Sequence, residues 1–77
     1  MKIHLLTFGV INEIISDNNF EVESACTVLQ LRNYLNENHS ALKELPYLIA
    51  VNNTIAPKQL ILDAEDEIAL LPPFSGG

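Results

Sequence analysis

Polar and apolar side chains alternate at the start of the chain, which predicts a β-strand over residues 2–8. One side of this strand presents Ile3, Leu5 and Thr7, and the other presents His4, Leu6 and Phe8. Gly9 then ends the strand, and apolar residues at helical spacing predict a short helix over 10–16. A turn signal at 17–19 precedes a second alternating run, 20–24, which predicts an antiparallel strand with one solvated face.

A capping signature marks the start of the main predicted helix. Thr27 is the predicted N-cap, and Gln30 stands three residues later, so the pair forms a capping box. Cys26 and Leu31 occupy the two positions of a hydrophobic staple. The helix is expected to end near 38–39, and 40–45 can add one more turn. One helical face carries the apolar side chains Val28, Leu31 and Leu35.

The sequence pattern in the last third of the chain predicts three strands separated by turns. The apolar run 47–51 predicts a largely buried strand, 52–53 a tight turn and 54–55 a short strand. An acidic turn leads into a final strand over 67–71, which Pro72 ends. The order of elements predicts an α+β fold, a mixed sheet packed on one main helix with a short extra helix.

Composition limits the classes of function. The 77 residues fit a single domain, and 48% hydrophobic residues suffice for one compact core. No run of 18 apolar residues predicts a membrane span, and the N-terminal stretch does not have the pattern of a signal peptide. The net charge of −6, with four basic residues, excludes a nucleic-acid surface. That charge either steers the domain toward basic protein partners or only maintains solubility.

Candidate chemistry within the domain is sparse. Asp63, Glu65, Asp66 and Glu67 form an acidic cluster without calcium-loop spacing, so it is either a solvated turn or a docking site for basic residues. Cys26 is the single cysteine and cannot form an internal disulfide, which fits a reducing cytosol. Its place before a helix could lower its thiol pKa, but a small apolar role in the staple is favoured. The two histidines show no metal spacing, so no metal site is predicted.

Two stretches carry a resemblance to a known family. They are "AVNNT", residues 50–54, and "LDAEDEIALLPPFSGG", residues 62–77. The chain resembles the small, sulfur-carrying subunit of molybdopterin synthase. That resemblance implies a ubiquitin-like β-grasp roll over 1–71 and an extended Gly-Gly tail over 72–77. The chain departs from the family pattern at Gly9 and Asn12, where relatives often have Ala and Arg. If that arginine contacts the partner in relatives, this chain lacks the contact.

The C-terminal tail suits delivery of a carboxylate into another protein. Gly76 and Gly77 have no Cβ, so their backbone can pass through a narrow channel. Pro72 and Pro73 hold φ at about −65° and keep the spacer semi-rigid. The six residues beyond Leu71 can reach roughly 20 Å when extended.

The resemblance also implies the reaction and the residues involved. Gly77 would be adenylated at its carboxylate, converted to a thiocarboxylate, and used as the sulfur donor to a pterin precursor. The domain would then be a non-catalytic subunit, because the catalytic residues lie on the large subunit. It would bind no cofactor itself, and ATP would be used by the activating enzyme. Tail-channel residues would be Gly76, Ser75 and Phe74, and interface residues would be Phe8, Ile55, Leu71, Pro72 and Pro73.

The implied partners are all proteins of one cytoplasmic pathway. They are the synthase large subunit in a heterotetramer, an ATP-dependent E1-like adenylating enzyme and a sulfur donor, with no nucleic acid and no membrane. Three other functions remain open: a thiamine-pathway sulfur carrier, a ubiquitin-like modifier joined to lysines through Gly77, and a pure interaction module. An enzyme in its own right is least favoured, because no nucleophile–base pair is visible.

Overall fold

A computed structural model of the chain describes residues 1–72. Two α-helices are present: α1, Val10–Ile14, and α2, Val28–Asn38, the latter followed by a 3₁₀ helix, Ser40–Glu44. No helix in this part of the chain is long and apolar enough to cross a bilayer. The five strands are β1 Lys2–Thr7, β2 Asn19–Glu21, β3 Leu48–Val51, β4 Thr54–Ile55 and β5 Ile68–Leu71.

The strands form one mixed sheet in the order β2-β1-β5-β3-β4. β1 and β5 are parallel neighbours in the middle, with Leu6 opposite Ala69, and the other three pairings are antiparallel. The mixed sheet with its helices confirms the expected α+β, β-grasp fold. Because β1 and β5 are parallel, their carboxyl ends meet at the same edge of the sheet, where the chain continues into Pro72.

The main helix begins where the capping signature predicts. The Thr27 side chain accepts a hydrogen bond from the Gln30 backbone N–H at 3.2 Å, and the Gln30 side chain accepts from the Thr27 N–H at 2.8 Å. These two bonds satisfy backbone groups that a helix start otherwise leaves unpaired. The helix faces the sheet with its fully buried residues Val28, Leu31 and Leu35.

The core lies between the sheet and the helices. Alternate residues of the central strands point into it, among them Leu5, Ile68 and Leu70, which have no exposed surface. Burial of a side chain of this size contributes about 1.5–3 kcal/mol to stability, so it strongly determines which residues of each strand face the core. No buried side-chain N or O atom in residues 1–72 lacks a hydrogen-bond partner.

The bounds expected for one strand were wrong. The second strand was expected at 20–24 but covers Asn19–Glu21; Val22 is the last residue bonded to β1 and its flank, and the chain then turns through Ala25, which has a left-handed φ of 65°. The run 47–51 is largely buried, as expected, but Leu48 is 44% exposed on the side of the sheet away from the helix. An all-apolar run does not show which of its residues face the core.

Candidate functional site

An exposed apolar surface covers the side of the sheet away from the helix. Leu6 pairs with Ala69, Ala69 with Ala50, and Ala50 with Ile55, across four neighbouring strands. Directly opposed residues place their side chains on one face of a sheet, so these residues form a row opposite to the core. We call this side the outer face.

Larger apolar side chains extend the row. Phe8 is 48% and Ile55 is 53% exposed, and Leu48 is paired with the half-buried Leu71 on the same side. A shallow concavity of about 250 Å³ lies among them, and Asn53 and Glu67 add polar groups to its lining. Clustered exposed apolar side chains with polar neighbours are typical of a protein interaction surface. The structure thus brings together Phe8, Ile55 and Leu71, three of the residues predicted to contact a partner; that role itself stays a prediction.

The start of the tail lies against the end of β1. Gly9 has φ 57° and ψ −134°, a backbone conformation that is accessible almost only to glycine. A Cβ atom at Gly9 would lie 3.6 Å from Cγ of Pro72, so the two residues are in close proximity. Sequence reasoning saw Gly9 only as a strand end and a departure from the family pattern. The parallel β1–β5 pairing is what brings it to the tail.

Asn12, the other departure from the family pattern, lies beside the same edge. Its side-chain oxygen accepts a hydrogen bond of 2.8 Å from the Thr7 hydroxyl, which connects α1 to the end of β1. The residue therefore has a local structural partner in this chain. Five predicted site residues lie outside the described part of the chain: Pro73, Phe74, Ser75, Gly76 and Gly77.

Hydrogen bonds tie the acidic loop to the β3–β4 turn. The Asn52 side chain accepts from the Glu67 N–H at 2.9 Å and donates to the Asp66 carboxylate at 3.0 Å. The other Asp66 oxygen accepts from the Asp63 N–H at 2.8 Å. We call these three bonds the Asn52 clasp. They give Asp66 a structural role in the loop, whereas the Glu65 side chain is exposed.

The surroundings of Cys26 disfavour thiolate chemistry. The side chain is buried, and its Sγ lies 3.4 Å from the Thr27 carbonyl oxygen, to which it donates. Burial raises the pKa of the Cys26 thiol, and the nearby Glu23 carboxylate raises it further. The idea that the helix start lowers this pKa was therefore wrong, because burial and the Glu23 carboxylate both favour the neutral thiol. Cys26 serves as a small apolar residue of the core.

Solved structures with the same fold belong to small carrier and modifier proteins. A putative molybdopterin converting factor subunit 1 from Pyrococcus furiosus superposes with a TM-score of 0.84 at 19% identity, over 96% of this chain and 99% of its own. Small archaeal modifier protein 1 from Haloferax volcanii superposes with a TM-score of 0.77 at 21% identity, and the match covers 95% of this chain and 98% of its own. At these identities the likeness shows the fold alone.

A third structure has a higher sequence identity. It is the complex of subunits 1 and 2 of molybdopterin-converting factor from Helicobacter pylori 26695, in which the matched chain is 29% identical. The match covers all of both chains with a TM-score of 0.67. The fold and these matches define a ubiquitin-like β-grasp protein of the sulfur-carrier class, whose members are in general non-catalytic. Residues 5–77 match the ThiS family, and the chain belongs to it.

Proposed function

We propose that this protein is the sulfur-carrying small subunit of a molybdopterin synthase. The observation that carries the proposal is the continuity of the outer face with the start of the tail, since Leu71 lies on the outer face and Pro72, the first residue of the tail, follows it directly. The tail ends in Gly76 and Gly77, and the 29% identical chain is part of a two-subunit molybdopterin-converting factor. The large subunit would cover the outer face and receive the tail.

The proposed reaction begins with activation of the Gly77 carboxylate, which alone is a poor electrophile. Its oxygen attacks the α-phosphorus of ATP on an E1-like adenylating enzyme, and pyrophosphate leaves. Sulfur from a donor then attacks the acyl carbon and AMP leaves, which produces a thiocarboxylate. The thiocarboxylate sulfur is transferred to a pterin precursor, and hydrolysis restores the carboxylate. Two such transfers supply both sulfur atoms of a dithiolene.

The proposal assigns the catalytic side chains to the large subunit. Within residues 1–72 the one thiol is buried with a raised pKa, and it has no histidine beside it to act as a base. We also place the protein in the cytoplasm, where its ATP-dependent partner would operate. The heterotetramer with the large subunit is part of the same proposal.

Intact-mass measurement tests the carrier chemistry directly. The protein is incubated with ATP, the adenylating enzyme and sulfide, and a gain of about 16 Da is expected as sulfur replaces oxygen. A variant with one alanine added after Gly77 is the control and should not change in mass. An unchanged mass for the unmodified chain, under conditions where a known carrier reacts, would contradict the proposal.

Two related functions differ in what the activated Gly77 reacts with. The fold match to small archaeal modifier protein 1 supports a modifier joined to target lysines, which would give ladders of higher mass on a denaturing gel. A thiamine-pathway carrier shares the activation step and fits the same family. Deletion of the gene separates the pathways: loss of molybdoenzyme activity supports our proposal, whereas thiamine dependence supports the alternative.

A further inference from the structure

A second surface, away from the outer face and the tail, has the features of a peptide-binding groove. It is a concavity of about 470 Å³ between β2 and α2. Val22 and the buried Cys26 form its apolar floor, Tyr34 and Gln30 on α2 form one wall, and Glu21 and Glu23 form the other. We call it the β2–α2 groove.

The strand beside this groove has an unpaired backbone edge. β2 is the outermost strand of the sheet and pairs only with β1. Val22 exchanges both backbone bonds with Met1, at 2.8 Å each, so the neighbouring pair of Glu21 and Lys2 lies at a non-hydrogen-bonded position of the ladder. The N–H and C=O of Glu21 therefore point outward. No backbone hydrogen bond engages them within residues 1–72.

Such an edge can accept one more strand. An added strand would bond to the Glu21 backbone and place every second side chain over the apolar floor of the groove. Tyr34 is 38% exposed and also makes an edge-to-face contact with Phe20, so the exposed part of its ring is available to pack on those side chains. Backbone pairing would give affinity, and the floor would select apolar residues.

The charges of the groove select the occupant. Glu21 lies 3.9 Å from the Met1 amino group and opposite Lys2, whereas Glu23 makes no ion pair within the described residues. The Glu23 carboxylate also lies near the floor of the groove, since its charge contributes to the raised pKa of the Cys26 thiol. The chain as a whole has a net charge of −6. A basic segment is attracted, whereas pairing of two copies along β2 would bring Glu21 and Glu23 carboxylates of the two copies close together, which disfavours a homodimer.

The groove also lies at the far end of the sheet from the tail. Glu21 pairs beside Lys2 at the start of β1, whereas the tail follows β5, whose Leu70 pairs with Thr7 at the end of β1. We propose that the β2–α2 groove binds an extended peptide segment with alternating apolar residues and basic flanks, by strand addition to β2. The segment would belong to a protein that engages the carrier while the tail and outer face remain accessible. This inference does not depend on the chemistry at Gly77.

A designed peptide tests the inference without knowledge of the natural partner. The probe has the four central residues Val-Ile-Val-Ile with two lysines on each side, and binding is followed by fluorescence anisotropy and backbone amide NMR. We expect saturable binding at or below about 1 mM, with shifts centred on Glu21, Val22 and the facing turn of α2. Methylation of the amide nitrogens on one edge of the peptide should abolish binding, and methylation on the other edge should not, because only one edge pairs with β2.

Two matched charge reversals test the choice of a basic partner. At low salt, Glu23→Lys is expected to weaken binding about fivefold or more, and Glu65→Lys less than about twofold. Equal effects would mean that only net charge matters and would overturn the inference. Amide shifts centred on the outer face around Phe8 and Ile55, or an anisotropy titration that does not saturate, would also overturn it. So would equal binding of the two methylated peptides, or sedimentation of the protein without peptide as a dimer that forms through β2.

Discussion

Replacement of Asn52 by alanine tests whether the clasp stabilises the fold. Asn52 has φ 52°, a left-handed conformation that costs a non-glycine residue other than Asn about 1–2 kcal/mol. Its side chain makes two of the three clasp bonds, each contributing about 0.5–1.5 kcal/mol, toward the lower end at an exposed site. Asn52→Ala is therefore expected to lower the free energy of unfolding by about 2–3 kcal/mol.

Two further variants separate the backbone from the side chain. Asn52→Gly removes the same bonds without the left-handed penalty, so it should cost about 1 kcal/mol less than Asn52→Ala. Asn53 is the matched control: it also has a positive φ, 70°, and its side chain makes no hydrogen bond within residues 1–72. Asn53→Ala should therefore cost only the backbone part. The difference between Asn52→Ala and Asn53→Ala measures the clasp.

Urea unfolding followed by circular dichroism measures these differences, and thermal unfolding checks them. A loss of 2–3 kcal/mol should lower the midpoint of a domain of this size by about 10–20 °C. Equal losses for Asn52→Ala and Asn53→Ala would refute the contribution of the clasp. Equal losses for Asn52→Ala and Asn52→Gly would refute the backbone argument, because only the alanine variant retains a Cβ in the left-handed turn.

Three other predictions address the outer face, the start of the tail and the thiol. Phe8→Asp should weaken binding to the synthase large subunit about 30-fold or more in calorimetry, because it places a charge in the apolar surface, whereas the exposed Ile61→Asp should change it less than about twofold. Gly9→Val should lower the free energy of unfolding by about 1–3 kcal/mol in urea, because φ is 57° there. Cys26 should react slowly with iodoacetamide at neutral pH, and stability should fall as the pH rises above the ordinary pKa of a thiol.

The sign of the alkaline effect follows from where the thiol ionises. Its pKa is raised in the folded chain, so the unfolded chain loses the proton first, and unfolding becomes more favourable as the pH rises. Cys26→Ala should remove this part of the pH dependence. Tyr47, whose pKa burial also raises, should retain its own contribution at higher pH. Equal alkaline losses of stability in the parent and Cys26→Ala would contradict the assignment to Cys26.

The other two predictions can fail in the same direct way. Equal losses of binding for Phe8→Asp and Ile61→Asp would contradict a specific role of the outer face. Unchanged stability of Gly9→Val would contradict the backbone argument at Gly9.

Local signals in the sequence were sufficient for most of the fold. The Thr27–Gln30 pair located the start of α2 because a capping box uses only neighbouring residues. Alternation in β1 separated the buried Leu5 from the exposed Phe8, because a strand has a period of two. The outward position of Leu48 could not be predicted, because its neighbours are apolar on both faces of β3. The early end of β2 is followed by a turn with a left-handed φ at Ala25, and alanine carries no signal for that conformation.

The sequence could predict site residues only where the alternation of a strand, the pattern of the tail or the family resemblance indicated them. The family resemblance indicated Phe8 and Ile55 as interface residues, whereas alternation alone could not show whether they lie in the core. The Asn52–Asp66 bond spans 14 residues and depends on how two loops meet, so no local pattern reveals it. The approach of Gly9 to Pro72 requires the parallel pairing of two strands that are distant in sequence. The β2–α2 groove depends in the same way on the packing of two elements.

The position of β5 suits the proposed function, in which one small domain docks on a partner and delivers its C-terminus. β5 lies in the middle of the sheet, between β1 and β3, so the strand that leads into the tail is hydrogen-bonded on two sides. Ala69 and Leu71 face outward from that strand, and Pro72 follows directly. A partner that covers the outer face must therefore lie beside residue 72. Five more residues can extend about 17 Å from there, so a receiving site within that distance of the docked surface is reachable without rearrangement of the sheet.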